Sequence, residues 1–181
     1  APTQIVSDLL TQQADLGVVS FENFSEGLAC QQFFTDEVIL IAPAAHRWAH
    51  AGVIELDDLP GEPMLIREPE SGTRRALASA LAAHEIQLLD LNILLELGNP
   101  EGMVHAVAMG VGVAFVPRLA AQIALQAGLV RQVRVNGLRI ERKICMLRNA
   151  QIPLLRPAEL FWGFVHDPEN ADLFQENSGA V

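Results

Sequence analysis

Basic residues are scarce in this chain. Of its 181 residues, 12 are Lys or Arg and 22 are Asp or Glu, a formal net charge of -10. Such a surface repels nucleic acid, and no run of Lys or Arg offsets it. Any work on DNA therefore belongs to a part of the protein other than this chain. Long apolar runs are also missing, and none approaches the ~20 residues of a membrane helix. The first residues lack the basic and apolar regions of a signal peptide, which by itself does not exclude secretion; a cytoplasmic location is the expectation. Cysteine is rare. Cys30 and Cys145 sit in no metal-ligand spacing; a disulfide between them stays open, and two buried thiols in a reducing compartment are the expectation. His46 and His50 are four apart without a third ligand, and are expected on the surface rather than on zinc. There is no nucleophile elbow, metal motif or Gly-rich dinucleotide fingerprint. An enzyme is not expected, and neither a cofactor nor a metal is implied.

What is abundant is apolar sequence: half of the residues are hydrophobic. That suffices for one sizeable domain or two small lobes. Ile5, Val6, Leu9 and Leu10 have helical spacing. Residues 16–19 read as a buried strand, and residues 20–32 as mostly irregular. Asp36 to Pro43 is a strong strand, apolar from Val38 to Ala42. Residues 44–52 read as a loop or ragged turn, and 56–61 as a single helical turn and a stop. A strand is expected from Leu91 to Leu97. Asn99 is a good N-cap, Pro100 fits the first helical position, and Glu101 favours the positive helix end. That helix turns Met103, Val104, Val107 and Ala108 to one face. A strand at 112–117 follows, then a helix at 118–127 packed on Leu119, Ile123 and Ala124. One or two strands flank the turn dipeptide Asn136-Gly137. A final helix from Pro157 is expected to face Leu160, Phe161, Phe164 and Val165 inward. Strands alternating with helices imply an α/β fold with mainly parallel sheets.

The stretch from Met64 to His84 organises the rest. Met64 to Ile66 is a short apolar run closed by Pro63 and Pro69, which suits a buried strand. Ser71, Gly72 and Thr73 then open a helix carrying Leu77 and Leu81 one turn apart. Ser71 can cap it, and Gly72 lets a ligand approach the backbone. A helix start presents unpaired N–H groups and partial positive charge, which attract anions. Arg67, Arg74 and Arg75 lie near the same turn. The bland alternative is an ordinary cap with solvated arginines. In open α/β sheets, however, ligands bind at the carboxyl ends of strands against helix starts. Ser71 and Asn99 both begin helices that directly follow strands.

Four stretches carry a resemblance. They are Asp15 to Val19, Asp36 to Pro43 with His46 and Ala49 after it, Arg67 to Arg74, and Glu96 to Glu101 followed by Ala106 to Pro117. In this order and spacing they resemble the effector-binding domain of LysR-type transcriptional regulators, over roughly residues 4 to 166. The resemblance implies a periplasmic-binding-protein-like (type 2) α/β fold of two lobes joined by crossing strands. The first lobe would take residues 1–41 and 140–170, the second 42–139, with a polar tail at 171–181. It also implies a small anionic effector bound between the lobes. Ser71, Gly72 and Thr73 would hold it, faced by Asn99, with Ser20 and Phe21 contributed by the first lobe. In the family, effector binding alters a DNA-bound oligomer, a dimer or tetramer, through a separate helix-turn-helix domain. This sequence departs from the family pattern in three respects. The DNA-binding domain and linker helix are not in it. Nor is the strand–helix–strand opening of the first lobe, so an open sheet edge and apolar face are expected there. Arg47-Trp48 replaces the usual Pro-Leu and is expected to be surface variation. A free-standing solute-binding protein of a transporter shares the fold. A signal peptide in the precursor would favour that alternative, and an N-terminal helix-turn-helix the regulator.

Overall fold

The computed structural model describes residues 2–20, 27–171 and 173. The chain divides into two compact units, 1–36 with 142–181, and 37–141. Two strands, β2 (Leu28–Pro43) and β8 (Ile140–Asn149), run from one unit into the other. β2 begins well before the expected Asp36. Residues 28–32 read as irregular because their side chains do not alternate cleanly between apolar and polar, yet they belong to the strand.

In the first unit, β1 (Leu16–Val19) pairs antiparallel with β8, Leu16 opposite Arg148 and Val19 opposite Cys145. Helix α1 (Pro2–Leu10) lies against β1, and Leu9, Val19, Cys145 and Leu147 form the core with Ile5 and Val6 beside it. Gly17 permits that contact, because a Cβ there would run into Ile5 and come within 3.2 Å of Leu9. Helix α6 (Arg156–His166) corrects the expected inward face. Only Val165 of that face is buried, while Leu160, Phe161 and Phe164 are exposed. Val18 is also exposed, at 46%. Leu9 is fully covered, and Ile5 and Leu16 are half-buried. An apolar surface therefore lies open on this unit, as the sequence implied, although α1 already covers one part of β1. Cys30 is a second correction: it is exposed on β2, whereas Cys145 is buried, and neither forms a disulfide.

In the second unit the strand order is β2-β6-β4-β5, where β4 is Met64–Arg67, β5 is Ile93–Leu97 and β6 is Val113–Pro117. β4 pairs parallel with β5 and β6. β2 runs antiparallel to β6 and to β7 (Val130–Val135), and β7 pairs parallel with β3 (Val53–Ile54). The sheet is thus mixed, which corrects the expectation of mainly parallel pairing. β2 is apolar without alternation because both of its faces are covered. Val38, Leu40 and Ala42 enter one core and Ile39 and Ile41 the other. β6 does the same, with Val113 and Phe115 on the first side and Ala114 and Val116 on the second. The first core is closed by Leu77 and Leu81 of α3 (Gly72–Ala82) and by Trp48 of α2 (Arg47–Ala51). Trp48 is therefore buried, not surface variation. The second core is closed by Met103, Val104 and Val107 of α4 (Pro100–Ala108) and by Ala121 and Ala124 of α5 (Arg118–Gln126). Leu119 and Ile123 of α5, expected inside, are exposed. Among the described residues no helix is long and apolar enough to cross a membrane.

Candidate effector site

The two helix starts arise from local chemistry. β4 is buried along Met64, Leu65 and Ile66, and Pro69 ends its extended run. The turn closes where the Ser71 N–H donates to the Glu68 carbonyl at 3.0 Å. Ser71 is the N-cap residue of α3 with extended backbone, but its side chain makes no capping hydrogen bond. That corrects the expected cap. The first N–H groups of α3 have no partner within the helix, and the Ser71 side chain does not cap them. Ser71 and Thr73 are 6% and 1% exposed, and Gly72 is buried with them. Two hydroxyls therefore lie out of solvent beside the positive end of a helix.

Asn99 behaves as the sequence implied. Its Oδ1 accepts from the Gly102 N–H at 2.6 Å, and Pro100 opens α4. Asn99 is itself exposed. Since β4 and β5 are adjacent and parallel, α3 and α4 both begin at the same end of the sheet. Ser71, Gly72, Thr73 and Asn99 thus belong to one unit and to neighbouring strand–helix turns. Ser20 lies at the end of β1 in the other unit, half-buried. Phe21 lies outside the described residues.

The arginines are committed. Arg67 donates through Nε and Nη2 to the two Glu68 carboxylate oxygens at 2.7 and 2.8 Å, and Nη2 also reaches the Gly98 carbonyl at 3.2 Å. Arg74 Nη1 donates to the Arg67 carbonyl at 2.9 Å and to Glu96 Oε2 at 2.6 Å. The Arg67 guanidinium holds the Glu68 carboxyl below the ordinary carboxylate value, against a smaller opposing effect of burial. Arg67 and Arg74 are therefore salt-bridged rather than solvated as the bland alternative had them. Glu68 and Glu96 escaped the sequence reading. Glu96 meets Arg74 only because the β4–β5 register sets it beside Ile66.

His46 is also more than a surface residue. Its Nδ1 accepts from the Trp48 N–H at 3.2 Å, and its Nε2 lies 3.4 Å from Glu62. Among the described residues, no group of three or more His, Cys, Asp or Glu could hold a metal ion.

Three relatives bear on what this arrangement is. An uncharacterized HTH-type transcriptional regulator of Methanocaldococcus jannaschii is 33% identical over 130 residues, 72% of this chain and 44% of that protein. A phosphonates import ATP-binding protein, PhnC, of Anaeromyxobacter dehalogenans is 36% identical over 150 residues, 77% of this chain and 28% of that protein. The regulatory domain of CcmR from Synechocystis PCC6803, solved in complex with 2-PG, superposes with a TM-score of 0.77 at 23% identity, covering 98% of this chain and 81% of that domain. The chain spans about half or less of the length of the curated relatives it matches. The family model of the LysR substrate binding domain matches residues 1–168, nearly the whole of the described chain. With its strand order, its two helix starts and that match, the chain belongs to the LysR substrate-binding domain family.

Proposed function

We propose that this chain is the sensing domain of a transcription regulator and that it binds a small anionic effector. The observation that carries the reading is the start of α3, where Ser71 and Thr73 are buried beside the positive end of the helix and directly follow a buried strand. Ser71 and Thr73 hydroxyls and the backbone N–H groups from Gly72 onward receive the anion. Asn99 contributes its amide from the start of α4. Arg67 and Arg74 are engaged with carboxylates, so recognition rests on neutral donors and the helix dipole rather than on a free cation. In the whole regulator, a cytoplasmic oligomer, effector binding changes the geometry with which a separate DNA-binding part holds its site. No catalytic step is assigned to any residue.

The test is a thermal-shift and calorimetric screen of small carboxylates and phosphorylated metabolites against the chain. A true effector at a hundred times its Kd stabilises the fold by about 2.7 kcal/mol. Thr73→Ala is expected to weaken it about tenfold, the worth of one hydrogen bond to a charged group. A ligand whose affinity survives both Ser71→Ala and Thr73→Ala would overturn this site.

A second reading has the phosphonate-import relative behind it: a ligand-binding domain serving a transporter. The segment encoded upstream of Ala1 decides between them. A helix-turn-helix there supports the regulator, and a secretion signal supports the transporter.

A further inference from the structure

The arginine–carboxylate contacts around α3 do not stay within one turn. Arg67 ends β4, yet its guanidinium reaches both Glu68 and the carbonyl of Gly98, at the turn that leads into α4. Arg74 lies in the first turn of α3, yet Nη1 bridges the Arg67 carbonyl and Glu96 on β5. Each arginine therefore ties the β4–α3 turn to the end of β5, just before the Asn99 cap. The four side chains form two ion pairs, Arg67–Glu68 and Arg74–Glu96, linked where Arg74 donates to the Arg67 carbonyl. The β4–β5 ladder ends at Arg67 opposite Leu97, and beyond that point these side-chain contacts tie one turn to the other. Planar, multi-donor guanidinium groups suit that task, because they fix direction as well as distance.

We infer that Arg67, Arg74, Glu68 and Glu96 are positioning residues that lock the α3 and α4 starts in one relative geometry. This rests on the effector site proposed above at those helix starts. Occupancy at α3 is then felt at Asn99 through the clamp, and loosening the clamp weakens effector binding without removing any group that touches the effector.

Amide NMR on the chain, with sodium sulfate as the probe anion, tests this. Arg67→Gln and Glu96→Ala are expected to shift the Gly98, Asn99 and Gly102 amides and speed their exchange about tenfold. The sulfate Kd, read at the Gly72 and Thr73 amides, should rise about five- to tenfold. Glu96→Gln keeps an acceptor for Arg74 and should stay near wild type. Arg131→Gln, which removes an exposed charge on β7, should leave both readouts unchanged. Unchanged Gly98–Gly102 amides in both Arg67→Gln and Glu96→Ala would overturn the clamp. So would an equal loss of sulfate affinity in Arg131→Gln, which would mark a general charge effect. Sulfate that fails to shift Gly72 and Thr73 in the wild-type chain overturns the anion site instead, and the exchange rates at Gly98–Gly102 still decide the clamp.

Discussion

At the scale of single residues, two carboxylates separate stability from site chemistry. Asp36 on β2 is buried, and Arg142 on β8 gives it hydrogen bonds from Nε and Nη2 at 3.0 and 2.7 Å. Removing one partner of a buried pair strands the other charge away from water. Asp36→Ala is therefore expected to cost about 3 kcal/mol, measured by urea unfolding. A loss below 1 kcal/mol would mean that water reaches the pair. Glu68 is the half-buried counterpart, and its folded pKa is depressed by Arg67. For a depressed carboxylate, the stabilising contribution is present above the unfolded pKa and lost as pH falls through the folded value. The Arg67–Glu68 pair should thus persist at pH 4.5 and fail only in more acid solution. In a carbon-detected NMR titration the Glu68 midpoint is expected below 4.5, and Arg67→Gln should raise it. An unshifted midpoint in the native chain would show that the pair does not form in solution.

At the scale of elements, α3 and α4 were legible because their signals are local. Pro69 stops a strand, Ser71 and Asn99 begin helices, and Pro100 fills a position that needs no N–H. The buried faces were less legible. In α4 the expected face is the real one, because α4 packs on the sheet with Met103, Val104 and Val107. In α5 the helix turns Ala121 and Ala124 inward, small residues that let it sit close to the sheet. Its large residues Leu119 and Ile123 are left outside. Large apolar residues usually mark the core side, and that rule fails where close packing selects alanine. Ile123, 81% exposed, can be changed to Glu at a cost expected within about 0.5 kcal/mol, as for an ordinary surface site. A loss above 2 kcal/mol in chemical denaturation would return Ile123 to the core.

At the scale of the whole chain, charge decides what the chain does alone. With 22 acidic and 12 basic residues it carries no attraction for DNA, and in the function proposed above promoter binding belongs to another part of a regulator. The chain is expected to show no sequence-specific retardation of a promoter fragment in a mobility-shift assay at 50 mM salt. Specific, salt-sensitive binding would contradict that. The open apolar surface of the first unit, with Val18 on β1 and Leu160, Phe161 and Phe164 on α6, belongs to the same scale. A local helix pattern correctly orients those side chains to one face of α6, but what covers that face lies beyond any local pattern.

By itself the sequence determined the α/β class, the order of most elements and the family, because these rest on local signals: apolar runs, proline and glycine stops, N-caps and motif spacing. It also determined the sign of the net charge. Only the tertiary structure decided which side chains those elements turn inward. Trp48 is buried because α2 lands on the first core, and β2 extends back to Leu28 because the strand continues past the point where its apolar pattern begins. Ser71 does not cap α3. Glu96 meets Arg74 across two neighbouring strands. Each of these depends on a register or an approach between segments far apart in the chain, and such pairings leave no periodic trace in the residues themselves.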